Sequence, residues 1–232
     1  MTRIYLIRHA EAEGNTRRLF QGHYDGAVSE NGRLQLEKLR QRCREYPFAA
    51  IYSSPLKRAM ETARAARGER KLPIETDERL MEICGGRWEG KPWGEIPQLY
   101  PEENRLWEHE PWNFEPEGGE PMRSVYARMR QVVTEIARKN PGRTVCVVSH
   151  GCAIRNFLCW AQGWPIERLP DVPWVDNTAV SVIDFDDALT PHVCVLGDNS
   201  HLSGGLSTIE KQSWWKKSGP TRDESAPAEG GR

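Results

Sequence analysis

Two short apolar runs in this chain are each followed directly by side chains that could bind a phosphate group and attack its phosphorus. Arg8 and His9 follow the run I-Y-L-I, and Ser149 and His150 follow the run T-V-C-V-V. A guanidinium donates paired hydrogen bonds to a phosphate, and a neutral imidazole can act as a nucleophile. An arginine after an apolar strand can also be a solvated charge where the strand reaches the surface. The positions of the strands and helices that carry these residues distinguish a binding site from a solvated surface charge.

Strands alternate with helices along the sequence, which is typical of an α/β fold with a mostly parallel sheet. Ser29 can cap a helix, and residues 125–136 carry an apolar helical face that ends at the sequence N-P-G. Two late strands over residues 179–185 and 192–196 are joined by D-D-A-L-T-P, which predicts a hairpin. We therefore predict a three-layer α/β/α sandwich with a mostly parallel central sheet and an inserted loop or helical lid.

The lid is expected at about residues 88–121, where the periodicity fails and glycine and proline recur. Loops of this length inside a compact domain are usually functional. Seven of the nine tryptophans lie between Trp88 and Trp174, which indicates either core packing or the wall of a pocket. Residues 94–119 hold seven glutamates and the single cation Arg105, so we expect an acidic cover over the site.

Parallel strands bring their carboxyl ends to one edge of a sheet, where ligand sites form. If the strands before His9 and His150 are neighbours, their polar residues meet at that edge. Arg58 lies on a helix that follows another strand and would join them. Two guanidiniums and the backbone N–H groups of the helix after His150 are the donors that a phosphate dianion requires. The sequence thus predicts a cationic phosphate pocket containing a histidine nucleophile.

Composition excludes other classes of partner. The formal net charge is -1 and the isoelectric point is near 6.6, so no overall field attracts nucleic acid or an anionic membrane. No apolar stretch approaches the roughly 20 residues of a membrane span, and we expect a cytoplasmic protein. The six cysteines form no C-x-x-C pair and no regular framework, which predicts neither a zinc site nor disulfides.

Five motifs in order resemble those of the histidine phosphatase superfamily, the cofactor-dependent phosphoglycerate mutase-like proteins, over about residues 3 to 202. The family opening R-H-G-E-[ST]-x-x-N stands here as R-H-A-E-A-E-G-N at residues 8–15. The others are Q-G-H-Y-D-G-A-V-S-E-N-G at 21–32, S-S-P-L-K-R-A-M-E-T-A at 53–63, L-M-E-I-C-G-G-R-W-E-G at 80–90 and V-V-S-H-G at 147–151. Five ordered motifs are far more specific than one.

The resemblance implies that His9 is the nucleophile that forms a phosphohistidine, and that Glu82 donates a proton to the leaving group. By the same resemblance, Arg8, Arg58 and His150 hold the phosphoryl oxygens. It also implies substrate or phosphate contacts, which fall here on Asn15, Gln21 and Gly151. No metal ligand and no cofactor is implied. These roles fit the physics of phosphoryl transfer, which depends on positioning and charge stabilisation.

Two residues depart from the family opening. Ala10 replaces the usual glycine, and it would be strained only if this position has a positive φ angle. Ala12 replaces the usual serine or threonine and lacks a hydroxyl that could donate to phosphate. Neither change removes a catalytic group, so we expect an active enzyme.

The sequence favours a metal-independent, histidine acid phosphatase-type phosphomonoester hydrolase acting on a small phosphorylated metabolite. A phosphoglycerate mutase-type phosphotransferase is the alternative, and a non-catalytic phosphate-binding protein is a weaker one. The segment at residues 78–90 lacks the E-R-x-Y-G-x-L pattern of mutases, which favours the phosphatase. Neither the physiological substrate nor the oligomeric state can be inferred from these patterns.

The predicted domain covers residues 1–204 and includes the lid. Residues 205–232 form a C-terminal extension, which we expect to be disordered from about residue 217 because its composition is rich in Pro, Gly, Ser and charge.

Overall fold

A computed structural model describes residues 1–211 of the 232-residue chain. Six strands form one sheet with the order β3-β2-β4-β1-β5-β6. The strands are β1 (Thr2–Arg8), β2 (Phe48–Ser53), β3 (Ile74–Thr76), β4 (Thr144–Ser149), β5 (Val180–Phe185) and β6 (Pro191–Asp198). The sheet is parallel from β3 to β1, and β5 and β6 are the predicted antiparallel hairpin.

Helices cover both faces of the sheet. The α-helices are α1 (Glu13–Thr16), α2 (Glu30–Cys43), α3 (Lys57–Arg67), α4 (Ile96–Leu99), α5 (Pro101–His109), α6 (Met122–Lys139), α7 (Gly151–Ala161) and α8 (Thr208–Lys211). One hydrophobic cluster joins a face of the sheet to α6 and α7, and a second joins the other face to α2 and α3. The predicted three-layer α/β/α sandwich is confirmed.

Local signals in the sequence explain where several elements begin. The Ser29 hydroxyl accepts a hydrogen bond from the Gly32 N–H at 2.9 Å and so caps α2 as predicted. The strand β4 is buried along almost its whole length because helices cover both of its faces. It ends at Ser149, so His150 lies at the carboxyl edge of the sheet and α7 begins at the next residue.

The segment predicted as a lid contains α4 and α5 together with short 3-10 turns. Each of the two helices has proline at one of its first two positions, where the missing N–H costs nothing. Below them the rings of Phe20, Trp88 and Trp107 pack edge-to-face or tilted, with centroids 5.4 to 6.0 Å apart. Trp88 is completely buried, so the tryptophan cluster is largely core packing.

Residues 206–211 pack back on the domain. The buried Asp176 carboxylate accepts hydrogen bonds from the Ser207 hydroxyl and from the Thr208 N–H, at 3.1 Å for the latter. The Thr208 hydroxyl donates to Glu11 at 2.9 Å. The expectation of a disordered tail from residue 217 falls outside the described residues. Within residues 1–211 no helix is both long and apolar enough to cross a bilayer.

Candidate active site

Three neighbouring parallel strands bring the predicted catalytic residues together. Strand β1 lies beside β4 with Arg8 opposite Ser149, and β4 lies beside β2, which leads into the helix carrying Arg58. The His9 main-chain N–H donates to the Ser149 carbonyl at 2.9 Å, which ties the two carboxyl ends together. The ring centroids of His9 and His150 are 5.1 Å apart. The predicted convergence at one edge of the sheet is therefore present.

The His9 ring is held in one tautomer, as the predicted nucleophile requires. Its Nδ1 lies 2.7 Å from the Ala10 carbonyl oxygen. A carbonyl can only accept, so Nδ1 carries the proton and Nε2 keeps its lone pair. Burial, reinforced by Arg58 and Arg8, holds the pKa of His9 well below its usual value. The imidazole is thus neutral at neutral pH, with Nε2 free to attack.

Both predicted arginines are held in place by main-chain carbonyls. Arg58 is completely buried, and its Nη1 and Nη2 donate to the carbonyls of Tyr24 and Gly22, each at 2.7 Å. Arg8 donates from Nη1 to the Val175 carbonyl at 2.6 Å. Burial lowers the pKa of Arg58 to about 10, so the group stays cationic at neutral pH. Carbonyls fix each guanidinium without neutralising its charge.

Several polar atoms at this edge are buried without a protein partner. Residues 1–211 contain eight buried side-chain nitrogen or oxygen atoms with no hydrogen bond. Four of the eight belong to predicted site residues: Arg8 Nε, Arg58 Nε, His150 Nδ1 and Gln21 Oε1. Buried polar groups in folded proteins are normally hydrogen-bonded, so such a concentration requires an explanation. A bound oxyanion would provide acceptors for the two guanidinium donors and for a protonated His150 Nδ1.

His150 occupies the N-cap position of α7 and is completely buried. Its Nε2 lies 2.7 Å from the Ser54 hydroxyl, which can act as donor or acceptor. Burial, and then the charge of Arg58, holds the pKa of His150 well below its usual value. The ring is therefore neutral, and with the proton on Nδ1 it can donate to a phosphoryl oxygen.

Glu82 lies at the N-terminus of α7. Its Oε1 accepts from the N–H groups of Ile83 and Ala153, and its Oε2 accepts from Cys152, all three at 3.0 Å. The sequence predicted that the first N–H groups of this helix would bind phosphate, but those of Cys152 and Ala153 have another partner. Two of them hold the carboxylate of Glu82, because a side-chain anion can satisfy a helix N-terminus as well as a ligand can.

The remaining predicted residues shape the surrounding loops. Asn15 Oδ1 accepts from the Ala12 N–H at 3.0 Å and so closes the turn after β1. Gln21 packs directly against Gly14, where a Cβ atom would lie only 2.1 Å from its side chain. A Cβ atom on Gly151 would lie 3.2 Å from Arg8 Nε, so this glycine leaves room for the guanidinium.

The two departures from the family opening leave the backbone unstrained. The non-glycine residues with positive φ in residues 1–211 are Arg18, Thr178 and Leu189, so Ala10 has an ordinary φ angle. The Ala10 N–H donates to the Thr62 hydroxyl at 2.9 Å. Ala12 precedes α1 without a side-chain cap. The glycine usual at position 10 is therefore not required here for its conformation.

Two further residues hold the site and were not predicted from the sequence. Arg128 on α6 donates to the carbonyls of Arg79, Met81 and Glu82 at 2.6, 2.8 and 3.1 Å. His23 Nε2 donates to the same Glu82 carbonyl at 2.9 Å. His23 lies inside the Q-G-H-Y-D motif, which is the one sequence signal that marks it. Arg128 gives no local signal, because its partners are about 46 to 49 residues away.

Arginines offset part of the negative charge of the lid segment. Arg87, which precedes the acidic segment, forms ion pairs with Glu103 at 2.7 Å and with Glu117. Arg105 pairs with Glu102 and Glu110. Two arginines are thus shared by four of the seven glutamates, and Arg87 adds one positive charge to those counted in residues 94–119.

Comparisons with known proteins agree with this geometry. The family described as the histidine phosphatase superfamily (branch 1) matches residues 4–194. Phosphoserine phosphatase 1 of Hydrogenobacter thermophilus is 35% identical over 190 residues, which are 81% of this chain and 88% of that protein. The structure of YhfR from Bacillus stearothermophilus is 37% identical, superposes with a TM-score of 0.83, and corresponds to 87% of this chain and all of that one.

A phosphoserine phosphatase mutant from Entamoeba histolytica, solved in complex with phosphoserine, is 25% identical with a TM-score of 0.77. The match covers 87% of this chain and 100% of that one. The likeness thus spans the sheet, the lid and the loops that carry the candidate site.

Proposed function

The chain belongs to branch 1 of the histidine phosphatase superfamily, and on that premise we propose that it hydrolyses small phosphomonoesters through a phosphohistidine on His9. It is a phosphatase, and the finer proposal is a histidine acid phosphatase-type hydrolase that needs no metal ion. The observation that carries the proposal is the set of unpartnered buried atoms on Arg8, Arg58 and His150 beside a neutral histidine. These donors suit the equatorial oxygens of a phosphoryl group.

The chemistry follows from the position of each group. His9 Nε2 forms a bond to phosphorus while the bond from phosphorus to the substrate oxygen breaks. In the proposed cycle Glu82 enters in its protonated form and gives that proton to the departing alkoxide, and the resulting carboxylate then takes a proton from the water that attacks the phosphohistidine. Inorganic phosphate leaves and His9 is neutral again. The guanidiniums of Arg8 and Arg58 stabilise charge on the phosphoryl oxygens in both steps.

We propose a small phosphorylated metabolite as substrate, and no nucleic acid or membrane partner. Two of the similar proteins are named phosphoserine phosphatases, which supports a substrate of that size. Arg87 and Arg105 offset part of the acidic charge of residues 94–119, which lowers the repulsion of a substrate that carries its own carboxylate. All six cysteines are free thiols, as is usual in a reducing compartment, which supports a cytoplasmic location.

Labelling tests the nucleophile. Brief incubation with ³²P-labelled phosphomonoester is expected to mark the wild-type protein with acid-labile, base-stable phosphate, the stability of phosphohistidine. His9→Ala should take up no label while keeping its melting temperature. Label of this kind on His9→Ala would contradict the assignment. Turnover is expected to persist in chelator, and a loss that added divalent ion restores would contradict a metal-independent reaction.

The reaction products distinguish a phosphatase from a mutase. We supply 3-phosphoglycerate with and without 2,3-bisphosphoglycerate and follow both 2-phosphoglycerate and free phosphate. Phosphate release is expected to dominate, because residues 78–90 lack the mutase pattern. Primer-dependent isomerisation that is faster than phosphate release would favour the mutase. A panel of phosphorylated metabolites, including phosphoserine, would then rank the substrates.

A further inference from the structure

Three side chains of metal-binding type meet on the loops beside the phosphate pocket. His23, Cys84 and Glu89 each offer a ligand atom, and these atoms lie within 4.8 Å of one another. All three residues are partly exposed, so an ion could reach them from solvent. In the described part of the chain, no other three histidine, cysteine or acidic residues come this close.

Hydrogen bonds already arrange His23 as a ligand. Its Nε2 lies 2.9 Å from the Glu82 carbonyl oxygen, which can only accept, so Nε2 carries the proton. The nitrogen left with a lone pair is Nδ1. Histidines that bind metals usually donate their other N–H to a carbonyl or carboxylate, which fixes the tautomer and the ring orientation. Here the Glu82 carbonyl accepts that hydrogen bond and so fixes the His23 ring before any ion binds.

Glu89 is fixed by the backbone on one side. Its Oε1 accepts from the N–H groups of His23 and Gly85, both at 2.9 Å. The same side chain lies within 4.8 Å of the Cys84 thiol. Gly22 permits this approach, since a Cβ atom there would lie 2.4 Å from Glu89 Oε1. The backbone therefore fixes one carboxylate oxygen close to both the His23 ring and the Cys84 thiol.

We propose that His23, Cys84 and Glu89 form a binding site for Zn²⁺ that is separate from the phosphatase chemistry. One nitrogen, one thiolate and one carboxylate oxygen are the borderline donor set that zinc prefers, whereas Mg²⁺ and Ca²⁺ prefer oxygen alone. Binding forms the Zn–S bond and releases the thiol proton to solvent. Thiolate and carboxylate together then balance the charge of the ion, and water completes a tetrahedral shell.

The separation of the ligands allows coordination after small side-chain rotations. Zinc bonds of about 2.0 to 2.3 Å place tetrahedral ligands roughly 3.3 to 3.8 Å apart, so contraction of about 1 to 1.5 Å at most is needed. Coordination would link the loop of His23 to the segment of Cys84 and Glu89. The first loop also supplies the Gly22 and Tyr24 carbonyls that hold Arg58. The ion would therefore stiffen a wall of the phosphate pocket.

Cobalt substitution tests the site without using catalysis as the readout. The full-length protein is titrated with Co²⁺ under reducing conditions, and the sulfur-to-cobalt charge-transfer band is recorded. One equivalent is expected to bind, and Zn²⁺ should displace it. Cys84→Ser should abolish the band, whereas Cys194→Ser, which removes the exposed cysteine of β6, should leave it unchanged.

Glu89→Gln keeps an oxygen for the His23 and Gly85 N–H groups but removes the ligand charge, and it should weaken binding at least about ten-fold. Zn²⁺ should raise the melting temperature of wild type and Cys194→Ser but not of Cys84→Ser, because only the folded state holds the ion. A cobalt–thiolate band that survives Cys84→Ser, or no band in folded wild type, would overturn the site. Neither result bears on His9, whose test is the phosphoenzyme label.

Discussion

Glu82→Gln gives the sharpest test of the proposed general acid, because the structure allows its effects on chemistry and on stability to be separated. The amide cannot protonate a leaving alkoxide. Loss of a general acid usually costs 10²- to 10⁴-fold in rate, or about 3 to 5 kcal/mol in the barrier. We expect a loss of about this size in kcat/KM for alkyl phosphates. Nitrophenyl phosphate should lose far less, because nitrophenolate leaves without protonation.

The same substitution has a structural cost that can be worked out from three hydrogen bonds. A glutamine oxygen at the Oε1 position keeps the Ile83 and Ala153 N–H groups. Its NH₂ group then faces the Cys152 N–H, which loses its acceptor. An unsatisfied N–H costs about 1 to 3 kcal/mol of unfolding free energy when it is buried, and this one is partly buried. The melting temperature should fall by a few degrees.

The assay measures kcat/KM for an alkyl phosphate and for nitrophenyl phosphate in the wild type, Glu82→Gln and a matched control. Glu11→Gln is the control, since Glu11 is also a buried carboxylate whose two oxygens accept from Ser29, Asn31 and Thr208. The control should lower the melting temperature without changing the ratio between the two substrates. Equal losses on both substrates in Glu82→Gln would refute the general-acid role.

Three further outcomes are expected. Arg58→Lys should lower kcat/KM about 10²- to 10³-fold and raise the Ki of inorganic phosphate. Arg67→Lys, on the same helix, should change neither quantity. A wild-type Ki for phosphate in Arg58→Lys would contradict the phosphate-binding role. Burial, with Arg42, lowers the pKa of His201 to about 4, so below pH 6.5 the unfolded chain takes up a proton that the folded chain refuses. Stability should therefore fall between pH 6.5 and 4. His201→Asn should reduce this fall in melting temperature, whereas substitution of the exposed His192 by Asn should leave it unchanged, and His9 and His150 supply the remainder. A chain that ends at Gly205 should have a lower melting temperature, because Asp176 loses its hydrogen bonds from Ser207 and Thr208. A chain that ends at Lys216 keeps these bonds and should melt like the full-length protein. Equal melting temperatures for the two truncated chains would contradict this.

The sequence was informative wherever a local pattern determines position. An apolar run ends where its strand ends, so the order of strands alone brings Arg8, His9 and His150 to one edge of the sheet. Ser29 caps its helix through a partner three residues away. The short lid helices were less predictable, because glycine and proline interrupt residues 88–121 at short intervals and α5 has no buried residue.

Long-range pairing of charges could not be predicted from local patterns. Counting charges in residues 94–119 gives one arginine against seven glutamates, yet Arg87 lies just outside that segment and pairs with two of them. The sequence around Asp176 likewise gives no sign of its partners, although residues 207–209 all donate hydrogen bonds to its carboxylate. Such partners are fixed only by tertiary structure, so the net charge of a segment does not predict the field that a substrate meets.

The position of Glu82 shows how such a long-range contact changes a mechanistic argument. A free helix N-terminus after His150 would make the α7 dipole an element of phosphate binding. In the structure the Cys152 and Ala153 N–H groups instead donate hydrogen bonds to Glu82. The helix therefore orients the proposed acid, and we propose that phosphate is bound mainly by Arg8, Arg58 and His150. It follows that removing the Glu82 side chain would also free two helix donors for phosphate, which could mask the loss of the acid. Glutamine keeps the helix end occupied, and for that reason it tests the proton transfer more directly than alanine does.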